Sequence, residues 1–486
     1  MNIAKQSLVL ISALVLGSNC VSAAEKPQTM EEMWKIIEAQ QEQLDAMKKM
    51  LEQSQQAQLP AKETEESQPK TEAEVANSKP HSNEEIAESQ QKTDEEVAEL
   101  QHKTDVLTEV VESMRTALVL PEEKELKSSY GLGPAASKVY QVDQGLSIGG
   151  YGEINYQALV ADKGDKNDNA DLERFVLYFG YKFNDWLILN SELEIEHSST
   201  SKNGSVSMEM MSLDFLIDPL FNVRTGLMLT PMGFVNLIHE PPFFFGNNRP
   251  EVERRIIPST WRNIGGGLFG EIVPDLNYTM YAMNGLNAEG FSSGGIRGGR
   301  QKGSKAFAED WAFIGRLDYT PSAVPGLVFG ASSYLGNSGQ DQVNANVFTQ
   351  LYEAHMEWKY YGFETRVLGS WGHIGDAATL SEQKQETIGS SNYGVYAEVA
   401  YDILPLIFPD TSQYLAPFFR YEKFDTIATT PNDDWDDNLF YDQDIFQVGF
   451  NYKQIPEVVI KLDYRNRNAK EGTVPDEVNI GFGFIF

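Results

Sequence analysis

The sequence predicts an all-β fold: about sixteen antiparallel strands closed into a transmembrane β-barrel, preceded by an α-helical coiled-coil region. Three observations carry this. From about residue 145 onward the hydrophobic pattern has period two, as in strands with one apolar face. The connections between these segments alternate between short and long, the two-sided pattern of membrane barrels. Before that point the periodicity is helical, and residues 28–118 contain no glycine.

Bulk properties narrow the classes of function. The 486-residue chain carries a net charge of −32, which argues against binding to a nucleic-acid backbone. Mean hydropathy is −0.37, and beyond the N-terminus nothing approaches the run of about 20 apolar residues that a membrane helix needs. Barrel strands escape that test because they alternate. Residues 1–23 read as a signal peptide: Lys5 supplies the positive charge, LVLISALVLG (8–17) the apolar core, and VSA the cleavage context. Cys20, the one cysteine, falls inside it. Gly17 and Asn19 do not fit a lipobox, so the exported chain is expected to be neither lipidated nor disulfide-linked.

Residues 24–138 are expected to form a periplasmic coiled-coil and linker region. Met30, Ile37, Leu44 and Leu51 fall seven apart, with Met33 and Met47 at the second seam position and Gln40 interrupting it. An acidic stretch with prolines follows at 59–80. Then KTDEEVAELQ (92–101) and the KTD at 103 repeat every eleven residues, a period that gives a straight or slightly right-handed coil. Seams this poor in leucine self-associate weakly.

The barrel is assigned to 139–486. In RFVLYFGYKF (174–183), Phe175, Leu177, Phe179, Tyr181 and Phe183 share one face. In DWLILNSELEIEH (185–197), leucines and Ile195 alternate with Asn190, Glu192, Glu194 and Glu196. In VVIKLDYRNRN (458–468), Ile460, Leu462 and Tyr464 alternate with Lys461, Asp463, Arg465 and Arg467. A row of acids or bases on one strand face is not tolerated in a dry sandwich core, but it can face a wet lumen. In VNIGFGFIF (478–486) the apolar face ends on Phe486. Short turns such as DPLF (218–221), VPDL (273–276) and YYGF (360–363) belong to one end. Longer segments such as ADKGDKNDNAD (161–171) and GFSSGGIRGGRQKGSK (290–305) belong to the other, and both termini fall on the short-turn, periplasmic side.

One connection is exceptional. MGFVNLIHEPPFFFGNNRPEVERRIIPSTW (232–261) is far longer than usual and too apolar to be a disordered linker. It must pack, and inside a barrel the surface on offer is the inner wall. Folded inward, it narrows the pore and brings His239, Glu240, Arg249, Glu251, Glu253, Arg254 and Arg255 toward the passage. A cap over the mouth or a subunit contact is the alternative.

GGYGEINY (149–156), the run at 174–197 and HEPPFFFGNNRPEVERRIIPSTWRNIGGGLFGE (239–271) resemble the phosphate-selective porin O and P family. The resemblance spans roughly 145–486. It implies a sixteen-stranded barrel, a homotrimer, and a third exterior loop folded into each pore. A terminal phenylalanine such as Phe486 also resembles the signal read by barrel-assembly machinery.

Selectivity is argued from charge. Alternation turns Arg174, Arg224, Arg316, Arg366, Arg420, Lys461, Arg465 and Arg467 inward, together with Glu192, Glu194, Glu196, Asp318, Glu353, Glu357, Glu398, Glu422 and Asp463. This mixed pore lining departs from the uncompensated bases of strict anion selection. It predicts a water-filled diffusion channel for small hydrophilic solutes and ions, with a field running from a basic wall to an acidic one. An anion- or phosphate-selective pore is the alternative, and a structural tether from outer membrane to cell wall is the second. DKNDN (165–169) lacks the glycine and glutamate of a calcium loop, and six histidines with no mature cysteine give no evident metal site. No enzyme activity and no cofactor are expected. The expected partners are outer-membrane lipid and lipopolysaccharide, barrel-assembly machinery, and peptidoglycan or a periplasmic protein through the coil.

Overall fold

The computed structural model describes residues 126–198, 200 and 203–486. The signal segment and nearly all of the coiled-coil region lie outside the described residues. Sixteen antiparallel strands, from β1 (Gly145–Ala161) to β16 (Asp476–Ile485), form one closed barrel in which each strand pairs with its sequence neighbours. Closure pairs β1 with β16, with Tyr151 opposite Ile485. Gly150 and Phe486 exchange backbone hydrogen bonds at 3.0 and 2.9 Å.

The expected alternation is present. In β2 (Asn169–Asn184), Arg174, Val176, Tyr178 and Gly180 are buried inside, while Phe179, Tyr181 and Phe183 are exposed outside. In β16, Ile480 and Phe482 face outward, as does Phe486 just beyond its end. Exposed Trp186, Tyr319, Tyr360 and Tyr401 mark the short-turn end, and Tyr156, Trp311 and Trp371 the long-loop end. Amphipathic rings at both edges of an apolar band are what a lipid bilayer with two interfaces selects. One short-turn-end connection breaks the length rule: 402–413, between β12 (Ser391–Tyr401) and β13 (Tyr414–Thr429), holds a short helix at Leu404–Ile407.

The interior differs from a simple wet tube. Over five consecutive strands the inner face is apolar toward the long-loop end. Tyr281 and Met283 of β7 (Leu276–Asn284), Ile314 of β8 (Trp311–Tyr319), Tyr334 of β9 (Leu327–Asn337), Leu351 of β10 (Phe348–Tyr360) and Leu368 of β11 (Phe363–Ile374) are all buried there. They pack against Val252, Ile256, Ile257 and Trp261 of the 230–261 loop. Each such buried side chain contributes about 1.5–3 kcal/mol, so this loop is fixed to the wall rather than draped over the mouth.

Residues 126–138, assigned above to the linker, also belong with the barrel. The short helix α1 (Pro134–Ser137) and its flanks enter from the short-turn end. Leu132, Ala135 and Ala136 pack on Tyr151, Val176 and Tyr178. A Cβ at Gly180 would stand 2.5 Å from Val139 Cβ, so glycine there makes room for this inner plug. Tyr140 Oη donates to Asp214 at 2.5 Å, and Arg224 donates to the Tyr130 carbonyl at 3.2 Å.

Candidate pore and its inner loop

The loop that joins β5 (Phe221–Leu229) to β6 (Arg262–Val273) crosses the lumen and touches the wall on several sides. Its backbone is held by charged residues that alternation turns inward. Arg316 donates to the Gly233 carbonyl at 2.7 Å, and Glu353 accepts from the Gly233 amide at 3.3 Å. Farther along, Arg420 donates to the carbonyls of Phe245 (2.9 Å) and Asn248 (3.3 Å). Lys461 donates to the Gly246 carbonyl at 2.8 Å, and Asp463 accepts from the Asn247 amide at 2.8 Å. Glu422 accepts from the Val252 amide at 3.1 Å. A loop lacking a strand partner needs such acceptors and donors, because its amides and carbonyls are shut away from water.

The short helix α2 (Glu251–Arg255) sits in this loop. Glu251 is its pin: it pairs with Arg254 at 3.2 Å, Arg255 at 3.1 Å and Arg465 of β15 (Val458–Ala469) at 3.5 Å. Burial works against its charge, but these guanidinium groups win and hold the carboxyl well below the usual carboxylate range. At Glu253 and Glu240 burial dominates and pushes both carboxyls up, against a weaker opposing pull from Arg249 on Glu240. Glu253 accepts from Tyr396 Oη at 2.6 Å and from the Val235 amide at 2.7 Å.

The seven loop residues therefore separate into two groups. His239, Glu240, Glu251 and Glu253 are buried anchors, with Glu251 standing where its arginine partners meet a polar cavity. Arg249 and Arg254 line a polar cavity of about 450 Å³ at the long-loop end. Arg255 reaches instead toward Gly294 of the 285–310 loop. That cavity lies between the loop and the wall formed by β15, β16, β1, β2 and β3 (Leu187–Glu196). Six arginines line it (Arg174, Arg249, Arg254, Arg297, Arg465 and Arg467), with five glutamates (Glu153, Glu173, Glu196, Glu251 and Glu477). Arg297 comes from a loop in which charge alternation gave no signal. A second cavity, of about 800 Å³, opens at the short-turn end between the plug and the inner ends of β4 (Val206–Asp218) to β8, where it meets Arg316 and Asp318.

The inward strand charges are paired locally rather than segregated into a basic and an acidic wall. Arg174 meets Glu153 at 2.7 Å and Glu194 at 3.3 Å, Arg224 meets Asp214 at 2.7 Å, and Arg465 meets Glu477 at 2.9 Å. Arg366 bridges Glu357 and Glu398, and Glu398 also takes Arg420. Partners on adjacent strands cancel much of each other's field at close range, which works against a transverse field. Glu192, Arg224, Glu353, Glu398, Arg420 and Lys461 point inward as expected but lie beneath the loop or plug.

No family model matches the sequence. Among solved structures, the chain is similar to the loop L8 deletion mutant of OmpT, an outer membrane protein of Vibrio cholerae. That match has 11% identity and a TM-score of 0.48, over 71% of this chain and 100% of that one. It is similar to OmpF of Salmonella typhi in complex with daunomycin, with 11% identity and a TM-score of 0.48, over 71% of this chain and 98% of that one. The anion-selective porin from Comamonas acidovorans matches at 10% identity and a TM-score of 0.44, over 70% and 99%. These are likenesses of a porin-like barrel fold. Among the curated proteins, an uncharacterized protein of Aquifex aeolicus (strain VF5) is 37% identical over 375 residues, 74% of this chain and 83% of that one. The chain belongs to one family with that Aquifex protein.

Proposed function

We propose that this chain is an outer-membrane channel for passive diffusion of small hydrophilic solutes and ions, working as a homotrimer. The observation that carries the reading is a charged compartment of about 450 Å³ enclosed by a barrel whose outer face is apolar. Solutes enter at the long-loop end beside Arg249 and Arg254, pass the edge of the inner loop, and leave by the second cavity at the short-turn end. Because loop and plug both occupy the lumen, conductance is expected to be small for a sixteen-stranded barrel.

A second reading, an anion-preferring pore, is favoured by the arginine majority in the first cavity, and it agrees with the resemblance to phosphate-selective porins O and P. Phosphate selection itself needs bases free of acid partners, and four of these six arginines, Arg174, Arg254, Arg465 and Arg467, have one. Single-channel recording of the purified trimer in planar bilayers tests both readings. Discrete steps with a zero-current potential near or on the anion side are expected in a salt gradient. Folded trimers that never conduct would sink the proposal.

A further inference from the structure

His239 is the loop residue with the least to do in a channel, since it is completely buried. Its Nε2 stands 3.3 Å from Glu192 Oε1 of β3 and 3.5 Å from Glu209 Oε2 of β4. One donor atom from each of the three lies within 4.8 Å of the others, and all three side chains are fully buried. Two carboxylates at such range repel strongly unless something positive lies between them. Arg262 answers one, donating to Glu209 Oε1 at 3.0 Å and holding Ser207 with its other nitrogen. Arg249, the other nearby cation, has Nε and Nη2 without hydrogen-bond partners among the described residues. Glu192 Oε2 and Glu209 Oε2 likewise have none, and neither does the buried hydroxyl of Tyr151, whose ring lies 5.7 Å from that of His239.

The distances discriminate between two explanations. An imidazolium bridging two buried carboxylates should make charge-assisted bonds of about 2.7–2.9 Å. Separations of 3.3 and 3.5 Å are long for that. They match the edge of a tetrahedron, about 3.3–3.4 Å, around an ion bound by nitrogen and oxygen at about 2.0–2.1 Å.

We propose that His239, Glu192 and Glu209 form a binding site for a divalent transition-metal ion of the zinc type, which fastens the inner loop to the β3–β4 wall. Glu209 is oriented for this by Arg262, the kind of outer partner that keeps a ligand in place. Nothing in the linear sequence announces the site, because its donors stand at 192, 209 and 239 on three separate elements. The inference rests on the position of the loop and not on whether the barrel conducts.

The test uses full-length protein refolded into detergent after chelator treatment, with Zn²⁺ as the probe and elemental analysis after desalting. About one Zn²⁺ per chain is expected, with a higher Tm than the metal-free protein, and Co²⁺ in its place should give the intense visible bands of tetrahedral cobalt. Glu192→Gln and His239→Ala should each weaken binding by about 10–100-fold or more. His197→Ala, at the partly exposed Asp171–Glu173–His197 cluster, should leave binding unchanged. No retained Zn²⁺ in correctly refolded wild-type protein would overturn the site. So would stoichiometric binding that survives in Glu192→Gln, the variant least able to disturb folding, or binding lost in His197→Ala.

Discussion

Arg254→Ala is the most informative single change in the pore. Its guanidinium is half exposed on the first cavity and paired with Glu251 at 3.2 Å. A unit charge about 6 Å from a passing ion, at an effective dielectric constant of about 60, changes that ion's energy by about 0.9 kcal/mol. Full bulk screening at 0.1 M salt, with a Debye length of about 10 Å, would leave about 0.5 kcal/mol, which sets the lower bound of the effect. That is about twofold for each sign of ion, about fivefold in the anion-to-cation ratio, and about 30 mV toward the cation side in a tenfold KCl gradient. Even at 1 M salt a cavity of about 450 Å³ holds on average about 0.3 of an ion of each sign, so no full ion atmosphere assembles inside it. The shift should therefore persist at high salt, and Arg255→Ala should produce a much smaller one. The assay is the zero-current potential of wild type and both variants at low and high salt. A shift that disappears at 1 M, or equal shifts in the two variants, would remove the cavity from the conduction path.

Three further outcomes are expected. Gly394→Val places a Cβ 2.8 Å from Val252 Cγ1 and 2.9 Å from Ile256 Cγ1; it should loosen α2 at a cost of about 1–3 kcal/mol and raise both conductance and loop proteolysis. Tyr140→Phe removes the bond from plug to Asp214, worth about 1.5–3 kcal/mol for a charged acceptor, and should produce extra transitions to larger conductance levels without lowering β-content by circular dichroism. Thermal melts of the detergent-solubilised protein should show opposite effects of the loop carboxyls. Glu240 and Glu253, with raised pKa values, stabilise the docked loop as pH falls through those values, whereas Glu251, with a lowered one, contributes fully above about pH 4.3 and less with further acidification. Stability should thus peak at mildly acidic pH, and Glu251→Gln should remove the decline on the acid side.

Much of the wall was legible in the sequence, because alternation has a fixed period and a charged residue in a strand can face only water or a partner. The inward side of β2, β3 and β15 follows from that alone. Alternation says where a side chain points, however, and not what it meets. Arg420, Lys461 and Asp463 read as pore lining, yet they hold loop carbonyls and amides. Toward the long-loop end the inner face of β7 to β11 left little alternation to read, because Tyr281, Met283, Tyr334 and Leu351 are covered by a distant segment and need no polarity. The inner loop itself was legible from its length and oiliness. Its buried acids were not distinguishable from its exposed arginines, since both occur in the same RPEVERR stretch. The plug was missed for a related reason: Leu132, Ala135 and Val139 are too few to give a period.

The anchoring of the inner loop also sets an order of assembly. Gly246 bonds to Asn451, 205 residues later in the chain, and Asn247 to Asp463, 216 residues later. Contacts this remote in sequence form late, after the intervening chain has been gathered. The loop emerges near the middle of the chain but finds these binding partners only when β14 (Asp442–Ile455) and β15 are in place. Until then its aromatic stretch at 243–245 has no wall to cover it. A newly inserted barrel should therefore pass through a wide, leaky stage, and substitutions at Asn451 or Asp463 should lengthen that stage while leaving strand insertion at its normal rate.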